Sequence, residues 1–393
     1  MRGADPSRAL CNTMPRPHTG LPAGDVLASG ELTIGLMSGT SLDGIDGALV
    51  RWHHDTPTTV AFASLPMPAA LRAELLRLQA PADDELHRSR LAAVELARAY
   101  AGVCAELLAR VPSGERVRAI GAHGQTIRHR PESGYTLQIL DGALLAELTG
   151  CDVVCDFRSA DVAAGGQGAP LVPAFHARVF GAADSCRAIV NLGGIANVSL
   201  LAADGGVRGH DTGPANMLLD LWAERWTGQP FDRDGALAAA GRCDQALLAR
   251  LLDEPYFALP APKSTGRDTF NAEWLDRRLG GADRQAARAA DVQATLLELT
   301  ALTVARDCLG GGADSVWLCG GGAANPALRD AIARRCSPVS VQTTAALGAP
   351  PQAVEAVAFA WLARCRLAGI AGNLPAVTGA SGPRVLGALY PGQ

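Results

Sequence analysis

Apolar and polar positions fall into short blocks along this chain, and the blocks predict an α/β fold. Residues 32–37, 47–52 and 58–64 are β-rich runs separated by turn residues, as in a three-stranded meander. The first two flank the turn-rich Ser38-Gly39-Thr40-Ser41-Leu42-Asp43-Gly44. From 70 to 110 apolar residues recur at helical spacing, with arginines on the opposite face. Residues 117–121, 135–139 and 152–156 read as further strands. The opening unit then recurs, with a strand at 187–191, the turn Leu192-Gly193-Gly194 and a returning strand at 195–201. Asp211-Thr212-Gly213-Pro214, read as a turn, precedes a helix at 216–226. A helix at 291–308 leads to a strand at 315–319, then Gly320-Gly321-Gly322 and a helix starting near Asn325. A strand–glycine turn–strand unit present twice, each copy followed by helices, predicts two related α/β domains with a ligand between them.

Composition narrows the class. The 393 residues leave room for two cores. A hydrophobic share of 48% and a charged share of 19% exclude a largely disordered protein. The net charge of −4 argues against nucleic acid or an anionic membrane as partner. No apolar run reaches the roughly 18 residues of a membrane span; the best, 353–363, is short and carries Glu355. Residues 1–30 hold Pro6, Pro15, Pro17 and Pro22 and lack the apolar stretch of a signal peptide, so they are expected to form a disordered extension. The ten cysteines are scattered singly, which predicts small buried apolar groups rather than disulfides or zinc ligands, and the cytoplasm as the compartment. Every basic residue but one is arginine. The exception, Lys263, stands out.

Glycine turns around Gly39, Gly193 and Gly321 follow strands, where backbone N–H groups can approach a phosphate. None fits a Walker loop or a dinucleotide fingerprint. Two could grip phosphates and the third an adenosine. Asp211 reads either as the cap of the helix that follows or as a general base. Asp43 reads as a turn former or an outer-shell magnesium ligand. His123-Gly124-Gln125-Thr126 is unusually polar for its flanks, as is the run from Asp156-Phe157-Arg158-Ser159-Ala160-Asp161 to Gly165-Gly166-Gln167-Gly168. Arginine beside carboxylates suits a polyhydroxylated or carboxylated ligand. His123 alone reads equally as a hydrogen-bonded histidine near the core.

Taken together, these motifs resemble the anhydro-N-acetylmuramic acid kinase family. The resemblance is carried by Gly35 to Asp46, His123 to Thr126, Asp156 to Pro170, Asn191-Leu192-Gly193-Gly194-Ile195-Ala196-Asn197 and Asp211-Thr212-Gly213-Pro214. Pro262-Lys263-Ser264-Thr265-Gly266-Arg267, Gly320 to Pro326 and Gly372 to Ala380 continue it. It implies two ribonuclease-H-like domains of duplicated topology flanking an ATP cleft, domain I formed by 31–155 plus 372–393 and domain II by 156–371. It also implies a reaction that uses ATP and magnesium. Water opens the 1,6-anhydro ring of 1,6-anhydro-N-acetylmuramic acid and O6 is phosphorylated, in recycling of cell-wall sugars.

By the same resemblance Asp211 takes the proton from water. Gly39, Thr40, Ser41, Leu42, Asp43, Gly44, Ile45 and Asp46 hold the phosphates, with Gly193 and Gly194 opposite and Gly320, Gly321 and Gly322 near the nucleotide. His123, Gln125, Thr126, Arg158, Asp161, Gln167, Asn197 and Glu355 are expected around the sugar, and Asp43 as an outer-shell ligand of Mg2+. A homodimer is compatible with this picture. The chain departs from the family pattern at Leu140, Ala215 and His210, which bears on substrate affinity more than on reaction type. Two alternatives share the fold: a non-catalytic or chaperone-like ATPase, and a kinase of another small sugar.

Overall fold

The computed structural model describes residues 29–39, 42–261 and 263–393. Thr40, Ser41, Pro262 and residues 1–28 of the extension expected over 1–30 lie outside the described residues. The first sheet is built from β1 (Leu32–Met37), β2 (Gly44–His53), β3 (Thr56–Pro66) and β4 (Val117–Ala122). A hairpin of β5 (Gln125–Arg130) and β6 (Tyr135–Ile139) stands apart from it, and β7 (Val153–Cys155) rejoins it. The second sheet holds β8 (Arg187–Leu192), β9 (Ile195–Leu201), β10 (Val207–Pro214), β11 (Ser315–Cys319) and β12 (Ser340–Thr343). A last strand, β13 (Ala388–Tyr390), returns to the edge of the first sheet and pairs antiparallel with β7.

The strand orders are β13-β7-β4-β1-β2-β3 and β10-β9-β8-β11-β12. In each sheet the first strand is central, two antiparallel strands lie to one side, and two parallel strands follow on the other. This is one ribonuclease-H-like pattern used twice. The parallel partners require crossovers, supplied by helices such as Glu85–Leu108 and Ala289–Gly310. The helical zone expected over 70–110 is two helices, Ala69–Arg77 and Glu85–Leu108. Pro81 lies in the break, where a residue without an N–H cannot continue the helix.

Separate apolar clusters fill the two halves, and a third joins them around the helix Val354–Ala368. Eleven residues of that helix are buried. It lies against β1 and β4, although it falls within the range expected for domain II. Its approach is close because Gly35 and Gly121 lack side chains. A Cβ at Gly35 would come within 1.7 Å of the Ala356 carbonyl oxygen, and one at Gly121 within 2.0 Å of the Phe359 oxygen. On the same helix Arg364 is almost fully buried, stacked 4.6 Å from the Trp52 ring and hydrogen-bonded to Glu31. No described helix is long and apolar enough to cross a membrane. The nine described cysteines are free, six of them buried.

Candidate active site

The second sheet presents a polar row to the space between the halves. In antiparallel pairing, residues directly opposite one another share a face. Asn191 of β8 pairs with Asn197 of β9, and Asn197 pairs with Asp211 of β10. On the other side Asn191 pairs with Cys319 of β11. All four line a cavity of about 610 Å³, together with Gln167, His176, Ser199, His210, Lys263, Ser264 and Glu355. Period-two geometry thus delivers three amide or carboxylate groups from three strands to one wall.

Asp211 is held from several directions. Its N–H donates to the Lys263 carbonyl at 3.1 Å, and its own carbonyl accepts the Tyr256 hydroxyl at 2.7 Å. The Thr265 N–H donates to Oδ2 at 3.0 Å, while nothing among the described residues hydrogen-bonds to Oδ1. Burial raises the carboxyl above its ordinary range, with the Thr265 bond and His210 opposing. The expected turn is not seen here. Asp211 belongs to β10, and the following helix, Asn216–Thr227, starts after Ala215 with no side-chain cap. A bulge between Asp211 and Gly213 lets turn-type residues sit in a strand.

Neighbouring groups are committed elsewhere. His210 Nε2 bonds Asp307 at 3.0 Å. Burial alone would raise Asp307, but His210 and the Lys263 charge hold it below its usual value. His176 is buried and uncharged, its pKa pushed down to about 3, and its Nδ1 lies 3.1 Å from Ser199 Oγ.

A second hollow of about 470 Å³ adjoins this cavity. It is lined by Met37, Gly39, Asp43, Gly44, Asp46, Ser64 and Glu355 among others. Glu355, in the first turn of the helix Val354–Ala368, borders both spaces. The cleft walls and Asp46 push its pKa up, and Arg158 opposes them. The Leu42 N–H donates to the Gly39 carbonyl at 3.2 Å, with Leu42 in the left-handed region at φ 57°. A non-glycine residue there stores strain, which is found at ligand clamps. The Leu42 and Ile45 side chains are fully buried in the core, so only their backbone can serve a ligand. Burial raises the Asp46 carboxyl, a Ser64 hydrogen bond opposing.

The glycines sort into two kinds. At Gly320, with φ 80°, a Cβ would lie 2.2 Å from Asn191 Oδ1, and at Gly322 it would lie 2.8 Å from Leu192 Cβ and Asn216 Oδ1. Packing demands both. At Gly193, Gly194 and Gly321 a Cβ would meet nothing closer than 3.4, 3.6 and 3.7 Å, and none has a positive φ. Folding does not require glycine at those three positions. They leave open backbone at the ends of β8 and β11, of the kind a polyphosphate fits.

The remaining residues expected around the sugar divide. Gln167, Asn197 and Glu355 line the cavity. Arg158, whose charge acts on Glu355, donates to the Gly168 carbonyl at 2.8 Å and to His123 Nε2 at 2.9 Å. His123 is buried, its pKa lowered to about 3 by burial and by Arg158, and supports that arginine rather than facing the cavity. Gln125 is buried and donates to the Gly39 carbonyl, and Thr126 accepts from Gln138 at 3.2 Å. Asp161 is fully buried away from the cavity. Its oxygens accept from Gly168 N, Asn373 and Thr378, so it ties the 165–170 loop to the C-terminal segment. Sequence alone gives Asn191 no site role beyond its place in a motif and gives His176 none. Asn191 was detectable from its two-residue phase with the neighbouring strand, whereas nothing local marks His176.

Among known proteins, the family model described as anhydro-N-acetylmuramic acid kinase matches residues 31–392. The anhydro-N-acetylmuramic acid kinase of Bordetella petrii is 59% identical over 373 residues, covering 93% of this chain and 98% of that protein. The one from Paraburkholderia xenovorans is 57% identical over 367 residues, covering 91% and 97%. Among solved structures, an activator of 2-hydroxyisocaproyl-CoA dehydratase from Clostridium difficile with bound ADPNP is 13% identical, with a TM-score of 0.45, covering 86% of this chain and 96% of that one. That likeness is too distant to add to the topology above.

Proposed function

The chain belongs to the anhydro-N-acetylmuramic acid kinase family, and on that premise we propose how its cleft performs the reaction. It is an ATP-dependent sugar kinase of cell-wall recycling. It converts 1,6-anhydro-N-acetylmuramic acid, water and ATP into N-acetylmuramic acid 6-phosphate and ADP. Asp211 is the general base. Its Oδ1 takes a proton from water as the water oxygen bonds to the anomeric carbon, and the bond from that carbon to O6 breaks. O6 then bonds to the γ-phosphorus as the bond to ADP breaks, so the transferred phosphoryl group takes the place of a second acid. The supporting observation is the Asp211 carboxylate itself: it lines the cavity, one oxygen is fixed by a backbone N–H, the other takes no hydrogen bond from the described residues, and burial raises its basicity.

Asn191, Asn197 and Gln167 orient the sugar, and Glu355 accepts a sugar hydroxyl where the two spaces meet. Gly39 and the open backbone at Gly193, Gly194 and Gly321 receive the phosphates. Asp43 and Asp46 both face the second hollow, where two carboxylates beside a polyphosphate repel it unless a cation intervenes. We assign Mg2+ to this place, with Asp43 in its outer shell. Mg2+ would supply charge neutralisation on the phosphates there, with Asp43 and Asp46 the carboxylates nearest to hand. The two halves would close on each other and exclude water, and the helix Val354–Ala368, seated on β1 and β4, would move with the first sheet although it lies within 156–371. The same reading has the enzyme work in the cytoplasm on a small sugar without nucleic acid, and a homodimer is compatible with it.

Incubation in ¹⁸O-water tests the reaction. Label at the C1 hydroxyl of the product is expected, and its absence overturns ring opening in favour of a kinase of an ordinary sugar hydroxyl. ATP turnover that ignores the anhydro sugar would instead favour the non-catalytic or chaperone-like ATPase.

A further inference from the structure

Muramic acid differs from glucosamine by a lactyl ether on O3, so the proposed substrate carries a carboxylate at neutral pH. The cavity already exposes Asp211 and Glu355. A third negative charge in a partly desolvated space is costly unless a cation faces it. Among the described residues lining the cavity, one lysine or arginine side chain is present, that of Lys263. Its ammonium lies 4.9 Å from the centre of the Tyr256 ring and takes part in no hydrogen bond or close ion pair with the described residues. The nearby carboxylate that influences it, Asp307, is engaged by His210 at 3.0 Å and by Arg306 at 3.3 Å. The Lys263 carbonyl accepts the Asp211 N–H, so the side chain leaves the backbone beside the proposed base. A half-buried cation on an aromatic face, uncommitted and opening onto a cavity with carboxylate walls, is placed for an anionic ligand group.

Resting on the substrate reading above, we propose that Lys263 is the specificity-determining counter-ion for the lactyl carboxylate. It selects muramic over glucosamine-type anhydro sugars. A compact ammonium on a flexible stem reaches a mobile lactyl group from the Tyr256 face without the planar clearance a guanidinium requires.

The test is a cycle between residue and substrate. 1,6-Anhydro-N-acetylmuramic acid is compared with its lactyl carboxamide, an uncharged isostere, in the wild type and in Lys263→Met, which keeps the apolar stem. Amidation is expected to cost the wild type about tenfold in kcat/KM, the scale of a charge-assisted hydrogen bond. In Lys263→Met the penalty should shrink to about twofold or less, and Lys263→Arg, which keeps the charge, should retain most of it. An equal penalty in wild type and Lys263→Met overturns the proposal, as does no penalty in the wild type. ATP binding by calorimetry reports folding, and Lys263→Gln replaces Lys263→Met with the same expectation if that binding is lost. Wild type that turns over neither sugar overturns the substrate reading, and this proposal with it.

Discussion

On the first sheet the cross-strand row that reaches the cleft is Met37, Asp46 and Ser64; on the second the matching row is Asn191, Asn197 and Asp211. Each row crosses three antiparallel strands of its own sheet, and each carries one aspartate that burial pushes above its ordinary range, Asp46 on the middle strand and Asp211 on the outer one. A further difference lies in what attends each aspartate. Asp46 has a neighbouring serine from its own sheet. Asp211 has the segment 255–265, whose Tyr256, Lys263 and Thr265 bind its backbone and one carboxylate oxygen. Duplication supplies two matching rows with their aspartates on different strands, and the segment that reaches Asp211 turns the outer position of the second row into a base.

Substitution by the isosteric amide tests that distinction most severely. Asp211→Asn should lower kcat by about 10²–10⁴-fold with ATP binding intact, whereas Asp46→Asn should cost about tenfold, read as ADP release. Equal losses would mean the two rows are not differentiated. Asp161→Ala separates structure from contact. Removing a buried acceptor of three hydrogen bonds should cost about 2–3 kcal/mol in denaturant unfolding, with KM for the sugar little changed in folded protein. Unchanged stability with a raised KM would return Asp161 to the sugar.

The glycines offer a finer contrast. Gly320→Ala should lose about 1–3 kcal/mol of stability because of its positive φ and the Asn191 contact. Gly194→Ala should stay within about 0.5 kcal/mol while KM for ATP rises. The smallest effect is on pH. Asp211 acts as a base only when ionised, so kcat should fall as pH drops through its raised pKa. The acid limb therefore lies above the ordinary aspartate range, and a limb at or below that range would show that burial does not tune this group.

Much of this scaffold was legible because apolar blocks such as Leu32–Met37, Ile195–Leu201 and Ser315–Cys319 need no tertiary information to read as strands. β5 and β12 escaped because Gln125–Arg130 and Ser340–Thr343 are short and polar. Asp211 was recognisable as a residue but not by its place. Asp-Thr-Gly-Pro has the local chemistry of a turn, and pairing with β9 overrides it. Arg158, His123 and Asp161 form a supporting polar layer, and sequence does not say which side of a loop such residues face. Legibility ended where a residue's role depends on its neighbour across the fold.

The helix Val354–Ala368, seated against Gly35 and Gly121, belongs with strands made several hundred residues earlier, and β13 closes the open side of β7 later still. During synthesis at roughly 5–20 residues per second, the first half spends on the order of 10–50 s with one face and one edge bare. Folding of the first half thus cannot finish before the second is made. A nascent chain stalled between the halves would expose an unpaired strand beside an uncovered apolar face, the combination that recruits chaperones or seeds aggregates.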